Sequence, residues 1–200
     1  MKAQVSAISM ILIVGIVISL VGSSYIWGKP LIDKRTTITQ FTVALRFMED
    51  LDEKIKHVAS SCTTAGACEV KLDIPTSGDI SVNSLDNSIS YTFYVEQPLF
   101  RESDIPYNTG NVDPVANYGE LPGVITVSGD VEEWTNSITL KLKYRELVDI
   151  EQGKGFYINL TGDDIGENSV IIRFEGIEIK PGEASNGGDL YSSKIAVETL

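Results

Sequence analysis

Apolar positions recur along this chain in three rhythms, and each predicts a different element. No side chain from Ala3 to Gly28 is charged, and Lys2 and Lys29 bracket the gap. Within it, residues 5–27 read VSAISMILIVGIVISLVGSSYIW. A segment apolar all round predicts a helix with no solvated face. At ~1.5 Å per residue it covers ~35 Å, enough for a hydrocarbon layer of ~30 Å. Tyr25 and Trp27 stand where an interfacial aromatic anchor belongs. Gly28-Lys29-Pro30 predicts a break, because proline lacks the backbone donor and disfavours helix at the residue before it.

The second rhythm runs from 29 to 60. Phe41, Ala44, Leu45, Met48, Leu51, Ile55 and Val58 step by three or four and predict one buried stripe. Arg46, Glu49, Asp50, Asp52, Glu53, Lys54 and Lys56 are assigned to the opposite, solvated face. Asp50–Lys54 and Asp52–Lys56 are i,i+4 pairs of favourable polarity. This amphipathic helix is expected to end near Ser60-Ser61.

From Glu69 the period drops to two. Alternating runs lie at 70–74, 89–95, 138–144, 156–160 and 170–174, followed by Ile177/Ile179 and Ile195/Val197. Ile80–Val82 and Val124–Val127 are shorter candidates. Turns are expected at Pro75–Gly78, Ser128-Gly129-Asp130, Gly153–Gly155, Gly162–Asp164 and Lys180–Gly182. Eight or nine short strands with one apolar face predict a β-sandwich. The fold class is therefore α+β, a long apolar N-terminal helix followed by an all-β head over 61–200. Residues 98–120 form a long Pro- and Asn-containing loop, a length that usually goes with function or mobility.

Charge sharpens this division. The chain has 16 basic and 28 acidic side chains; residues 1–60 hold 7 and 5, which leaves 9 and 23, net −14, in residues 61–200. A head this acidic is not expected to grip nucleic acid through phosphates. Lys2 places the start of the apolar helix in the cytoplasm, whereas Lys29, Lys34 and Arg35 argue the opposite orientation. A disulfide and a sequon in the head favour the head outside.

Cys62 and Cys68 are the two cysteines. An extracytoplasmic address favours a disulfide between them; two reduced, semi-buried thiols are the alternative. Structural zinc wants four ligands, and one histidine with two cysteines supplies three. Asn159-Leu160-Thr161 is an N-glycosylation acceptor. Alternation turns Asn159 outward, away from Phe156, Ile158 and Leu160. Residues 161–168 have the oxygen density of a calcium loop, but their strand flanks favour an ordinary hairpin turn. Catalytic sets such as Cys-His, Gly-x-Ser-x-Gly or a phosphate-cradling glycine loop do not occur in the sequence. The expectation is a non-enzyme with no cofactor and no metal. Gly15, Ser19 and Gly22 form a small-residue stripe that would let another helix approach closely.

Lys2-Ala3-Gln4-Val5, placed directly before the uncharged helix, resembles the class III signal peptide of archaeal type IV pilin-like proteins. The resemblance covers residues 2–28, and the layout of helix then sandwich is similar to archaeal pilins and archaellins. It implies that a prepilin peptidase cuts between Ala3 and Gln4, removes the leader 1–3 and keeps the helix 4–28. It also implies a membrane-held precursor, a pilus assembly platform and an extracellular helical homopolymer. In such a filament apolar helices form the core and heads the sheath, probing surfaces in adhesion. Ser6 fits the family's Gln-x-Ser-x-Glu continuation; Ile8 stands where many members carry Glu. The other reading is a single-pass, membrane-anchored β-sandwich binding module, or an archaellum-associated accessory protein, that does not polymerise.

Overall fold

The computed structural model describes residues 2–66, 68–75, 78–100, 105–107, 125–131, 135–149, 151–162, 165–166 and 168–199, the side chains of 2–9 and 105–107 excepted. A single α-helix, α1 (Lys2–Ser61), takes up 60 residues, ~90 Å at the helical rise. It runs through Pro30 without interruption, so the expected break between two helices does not occur. The reason is a comparison of costs. Ending a helix and restarting it orphans four carbonyls and four amides, and a new nucleus must form. An interior proline removes one donor and crowds one carbonyl, about 3 kcal/mol. Residues on both sides of Pro30 are exposed, so the freed carbonyl can be solvated.

The β strands are β1 (Glu69–Asp73), β2 (Gly78–Asn83), β3 (Ser88–Val95), β4 (Ile105–Tyr107), β5 (Ile125–Val131), β6 (Asn136–Lys143), β7 (Leu147–Asp149), β8 (Lys154–Thr161), β9 (Ile165–Gly166), β10 (Ser169–Lys180) and β11 (Asp189–Thr199). They form two sheets. The first has five strands in the order β1-β10-β11-β8-β7, and the second six in the order β4-β5-β6-β3-β2-β9. All pairings are antiparallel except β11 with β8. The fold is α+β, with an N-terminal helix and a β-rich head, as the periodicity predicts.

The core lies where the second half of α1 meets both sheets. Phe41, Ala44, Leu45, Met48, Leu51, Ile55 and Val58 are all buried, so the predicted stripe holds residue for residue. They join Tyr91, Phe93, Ile138, Leu140 and Leu142 of the second sheet and Ile172, Phe174, Ile195 and Val197 of the first in one cluster. Phe47 packs on Tyr91 with ring centroids 5.5 Å apart.

Asp52 departs from its assignment to the solvated face. It is 4% exposed, because the helix sits between two sheets and the buried arc is wider than the apolar stripe. Its charge is met there: Tyr144 donates its hydroxyl to Oδ1 at 3.0 Å, and Lys56 Nζ lies 2.7 Å from Oδ2. The predicted Asp52–Lys56 pair is thus present, half-buried rather than solvated. Burial, and then the Asp52 carboxylate, push the Tyr144 phenol well above its ordinary value.

Ser128-Gly129-Asp130 is not a turn; it lies inside β5. Gly129 is there for proximity: a Cβ would stand 2.4 Å from the Phe100 carbonyl oxygen. The runs around Phe174 and Ile177/Ile179 are one 12-residue strand, β10, interrupted by a bulge between Phe174 and Gly176. Gly176 has φ 142°, a conformation that side chains resist. Three strands were not foreseen. β4 falls within the long 98–120 loop, whose residues 101–104 and 108–120 lie outside the described residues. β7 and β9 are three and two residues long.

Candidate functional site: the exposed N-terminal helix

Among the described side chains, those from Met10 to Lys29 are not buried against the rest of the chain. From Met10 to Ile32, fifteen large apolar side chains are exposed, with Tyr25 at 66% and Trp27 at 81%. None of the most apolar 18-residue window is buried. A soluble monomer does not ordinarily leave a contiguous apolar surface of this size in water. The helix is long and apolar enough to cross a membrane.

One side of this stem is indented. Leu12, Gly15, Ile16, Ser19, Leu20 and Ser23 line a shallow hollow. Gly15, Ser19 and Ser23 step by four, about 40° of rotation each, so they share a face. Gly15 and Ser19 line this hollow together with Ser23; Gly22, about 20° around the axis from Gly15, lies on the same side of the helix. A Cβ on Gly15 or Gly22 would meet nothing within 4 Å, so neither glycine is required by contacts within the chain. Ala3 and Gln4 fall in the first turns of α1, with side chains outside the described residues.

Above the stem lies a polar junction. Lys29, Lys34 and Arg35 are exposed, and the first buried position among the described side chains is Thr37. Thr36, Thr37, Thr39 and Thr42 each donate a hydroxyl hydrogen bond to the carbonyl four residues back, at 2.8–3.1 Å. These back-bonds satisfy polar groups without leaving the helix.

At the far end, Cys62 and Cys68 form a disulfide, with Cα atoms 6.1 Å apart. The loop it closes is fastened to β10: Gly66 N donates to Phe174 O at 2.8 Å, and Phe174 N to Cys68 O at 3.2 Å. The bridge therefore locks the end of α1 onto the first sheet. In the chain-entropy view a loop of this size contributes about 2 kcal/mol. A second fastening is Asn87, at φ 52°. Its side chain donates to Tyr144 O and Ile158 O and accepts from Leu160 N at 2.8 Å, so the β2–β3 turn of one sheet holds β8 of the other.

Asn159 sits half-buried in β8, opposite Lys194 of β11. Phe156, expected to face the core, is 43% exposed. It lies on the core-side face of the first sheet, but past the rows that α1 and the second sheet cover. There Ile179, Tyr191, Phe156 and Leu147 are cross-strand partners in one row. Phe156 and Tyr191 stack at 5.7 Å, and Lys154 Nζ stands 5.5 Å from the Tyr191 ring.

Asp163, Asp164 and Glu167, from the oxygen-rich segment, lie outside the described residues. Among the described residues no group of three or more His, Cys, Asp or Glu side chains is placed to hold a metal ion. No protein-family model, curated protein or solved structure matches the chain.

Proposed function

We propose that this chain is the structural subunit of an extracellular, type IV pilus-like filament, with a role in surface adhesion. The observation that carries the reading is the stem: a charge-free helix exposed on every side and continuous with a helix clamped in a folded head. Its precursor is held in a membrane by that helix, with the acidic head outside. Cleavage by a prepilin peptidase between Ala3 and Gln4 removes the one basic residue on the head-distal flank. An assembly platform then gathers stems from lipid into a core, where the Gly15/Ser19 hollow admits a neighbouring helix.

The energetics favour a partner for the stem. Fifteen side chains, each about three-fifths exposed, represent roughly 20 kcal/mol of burial still to be gained from water. Lipid or other stems can supply it. A continuous helix through Pro30 supports the polymer, since the force-bearing element then runs unbroken from core to head.

The second reading is an anchored surface module that does not polymerise. Ile8 favours it, because in related pilins a Glu at that place meets a neighbour's new amino terminus. Intact mass of the protein from cells tests the first reading. Loss of residues 1–3 and a chain starting at Gln4 is expected. A chain that keeps its first three residues removes the basis for the filament.

A further inference from the structure

Between the apolar stem and the head, three cations occupy seven residues. Lys29, Lys34 and Arg35 are exposed and have no ion-pair partner among the described residues. Asp33 is the one acidic side chain from Ala3 to Met48. At ~100° per residue, Lys29, Lys34 and Arg35 fall near 0°, 140° and 240° around the axis. They encircle the helix rather than mark one face. The head cannot cover them, since burial begins at Thr37.

We infer that this collar binds the anionic headgroups of the bilayer in which the stem resides. A protein partner would approach from one side and engage one or two of the three cations. Lipid phosphates surround a spanning helix and meet all of them. The axial spread from Lys29 to Arg35 is ~9 Å, somewhat more than the ~5–7.5 Å of one headgroup layer, a difference that long, flexible Lys and Arg side chains can span. Exposed Tyr25 and Trp27 lie just below it, at the depth where aromatic rings collect. The collar therefore sets the height of the helix in the membrane and holds the acidic head, net −14 over residues 61–200, clear of a surface of like charge. It also resolves the conflict between the two basic flanks: the head-side cations serve lipid contact, not orientation. The inference rests on the membrane stage of the reading above and not on polymerisation, so either can fail without the other.

The test is lysine acetylation of the full-length protein in two vesicle types, read peptide by peptide by mass spectrometry. One type is phosphatidylcholine alone; the other carries about one-third phosphatidylglycerol. Headgroup attraction of about fivefold in local occupancy per cation is expected. Lys29 and Lys34 should thus react several-fold more slowly in the anionic vesicles. About 1 M salt, where the Debye length is ~3 Å, should restore the rate. Exposed Lys71 on β1 is the internal reference and should not change. Equal rates in both vesicles overturn the inference. So does equal slowing in both, which means burial by any bilayer, and so does slowing that salt does not reverse.

Discussion

Replacing Tyr144 by Phe tests how the head grips its helix. The ring stays in place, and only the hydroxyl group that meets Asp52 is lost. Tyr144 is buried and donates to Asp52 Oδ1 at 3.0 Å, across 92 residues of sequence. The acceptor is a carboxylate, and a hydrogen bond to a charged group contributes about 1.5–3 kcal/mol. Lys56 still neutralises the other oxygen at 2.7 Å, so the low end is expected, about 1.5 kcal/mol. Asp52→Ala removes the acceptor, strands the Tyr144 hydroxyl and loses the Lys56 pair; about 2–4 kcal/mol is expected. The double variant should cost less than the sum, with a coupling of about 1–2 kcal/mol. The assay is urea unfolding of the four proteins in a non-ionic detergent, read from the midpoint at constant m. The pH dependence has a defined sign. The folded Tyr144 phenol is raised above its ordinary value of 10.0. Its contribution is complete below pH 10 and declines as pH rises above it, since the unfolded chain ionises first. Tyr144→Phe should therefore flatten the alkaline limb of the stability curve. A neutral Tyr144→Phe, or strict additivity with Asp52→Ala, refutes the link.

Three further outcomes follow from the same geometry. A chain of residues 29–200 keeps every buried side chain among the described residues, the first being Thr37, so it should be a soluble monomer. Its unfolding free energy should match the full chain's within about 0.5 kcal/mol; aggregation or loss of cooperative unfolding contradicts the separation of stem and head. Lys141 and Lys143 pair with Asp86 and hold its carboxyl below the usual range. That stabilisation is present above pH ~4 and is lost as pH falls through the depressed folded value. The pair is partly exposed, so Asp86→Asn should cost less than about 1 kcal/mol at pH 7 and reduce the acid-limb slope; an unchanged slope rules the pairing out. Alkylation without reductant should leave Cys62 and Cys68 unlabelled, and Cys62→Ser with Cys68→Ser should cost about 2 kcal/mol; ready labelling of both contradicts the bridge.

The parts of this fold that were legible in sequence are those where one pattern has one cause. The Phe41–Val58 stripe repeats at helical spacing because a single helix face meets the core. The strands from β1 to β11 that carry buried rows alternate for the same reason. Where two causes compete, the pattern misleads. Asp52 looks solvated beside Glu53 and Asp50, and only the tertiary partner Tyr144, 92 residues on, makes its burial tolerable. Gly129 reads as a turn residue, yet it is small because Phe100 passes over it. Pro30 reads as a boundary, but helix cooperativity outweighs one missing donor. Phe156 obeys its alternation and is exposed because, among the described residues, α1 and the second sheet stop short of that end of the first sheet. β7 and β9 are too short to show any period. The stem was the most legible element, as absence of charge over 26 residues has few structural explanations. Of the small residues lining its hollow, Gly15 and Ser19 stand in the stripe read from the sequence and Ser23 does not.

The proposed filament requires the stem to exchange lipid for other copies of itself. Electron microscopy of fibres sheared from cells, with mass spectrometry of the same fraction, tests it most directly. Helical fibres made of this chain, beginning at Gln4 and with the 4–28 segments in the core, are the expected result. Recovery of the chain only in membranes, with no fibre containing it, would rule out polymerisation of the stem.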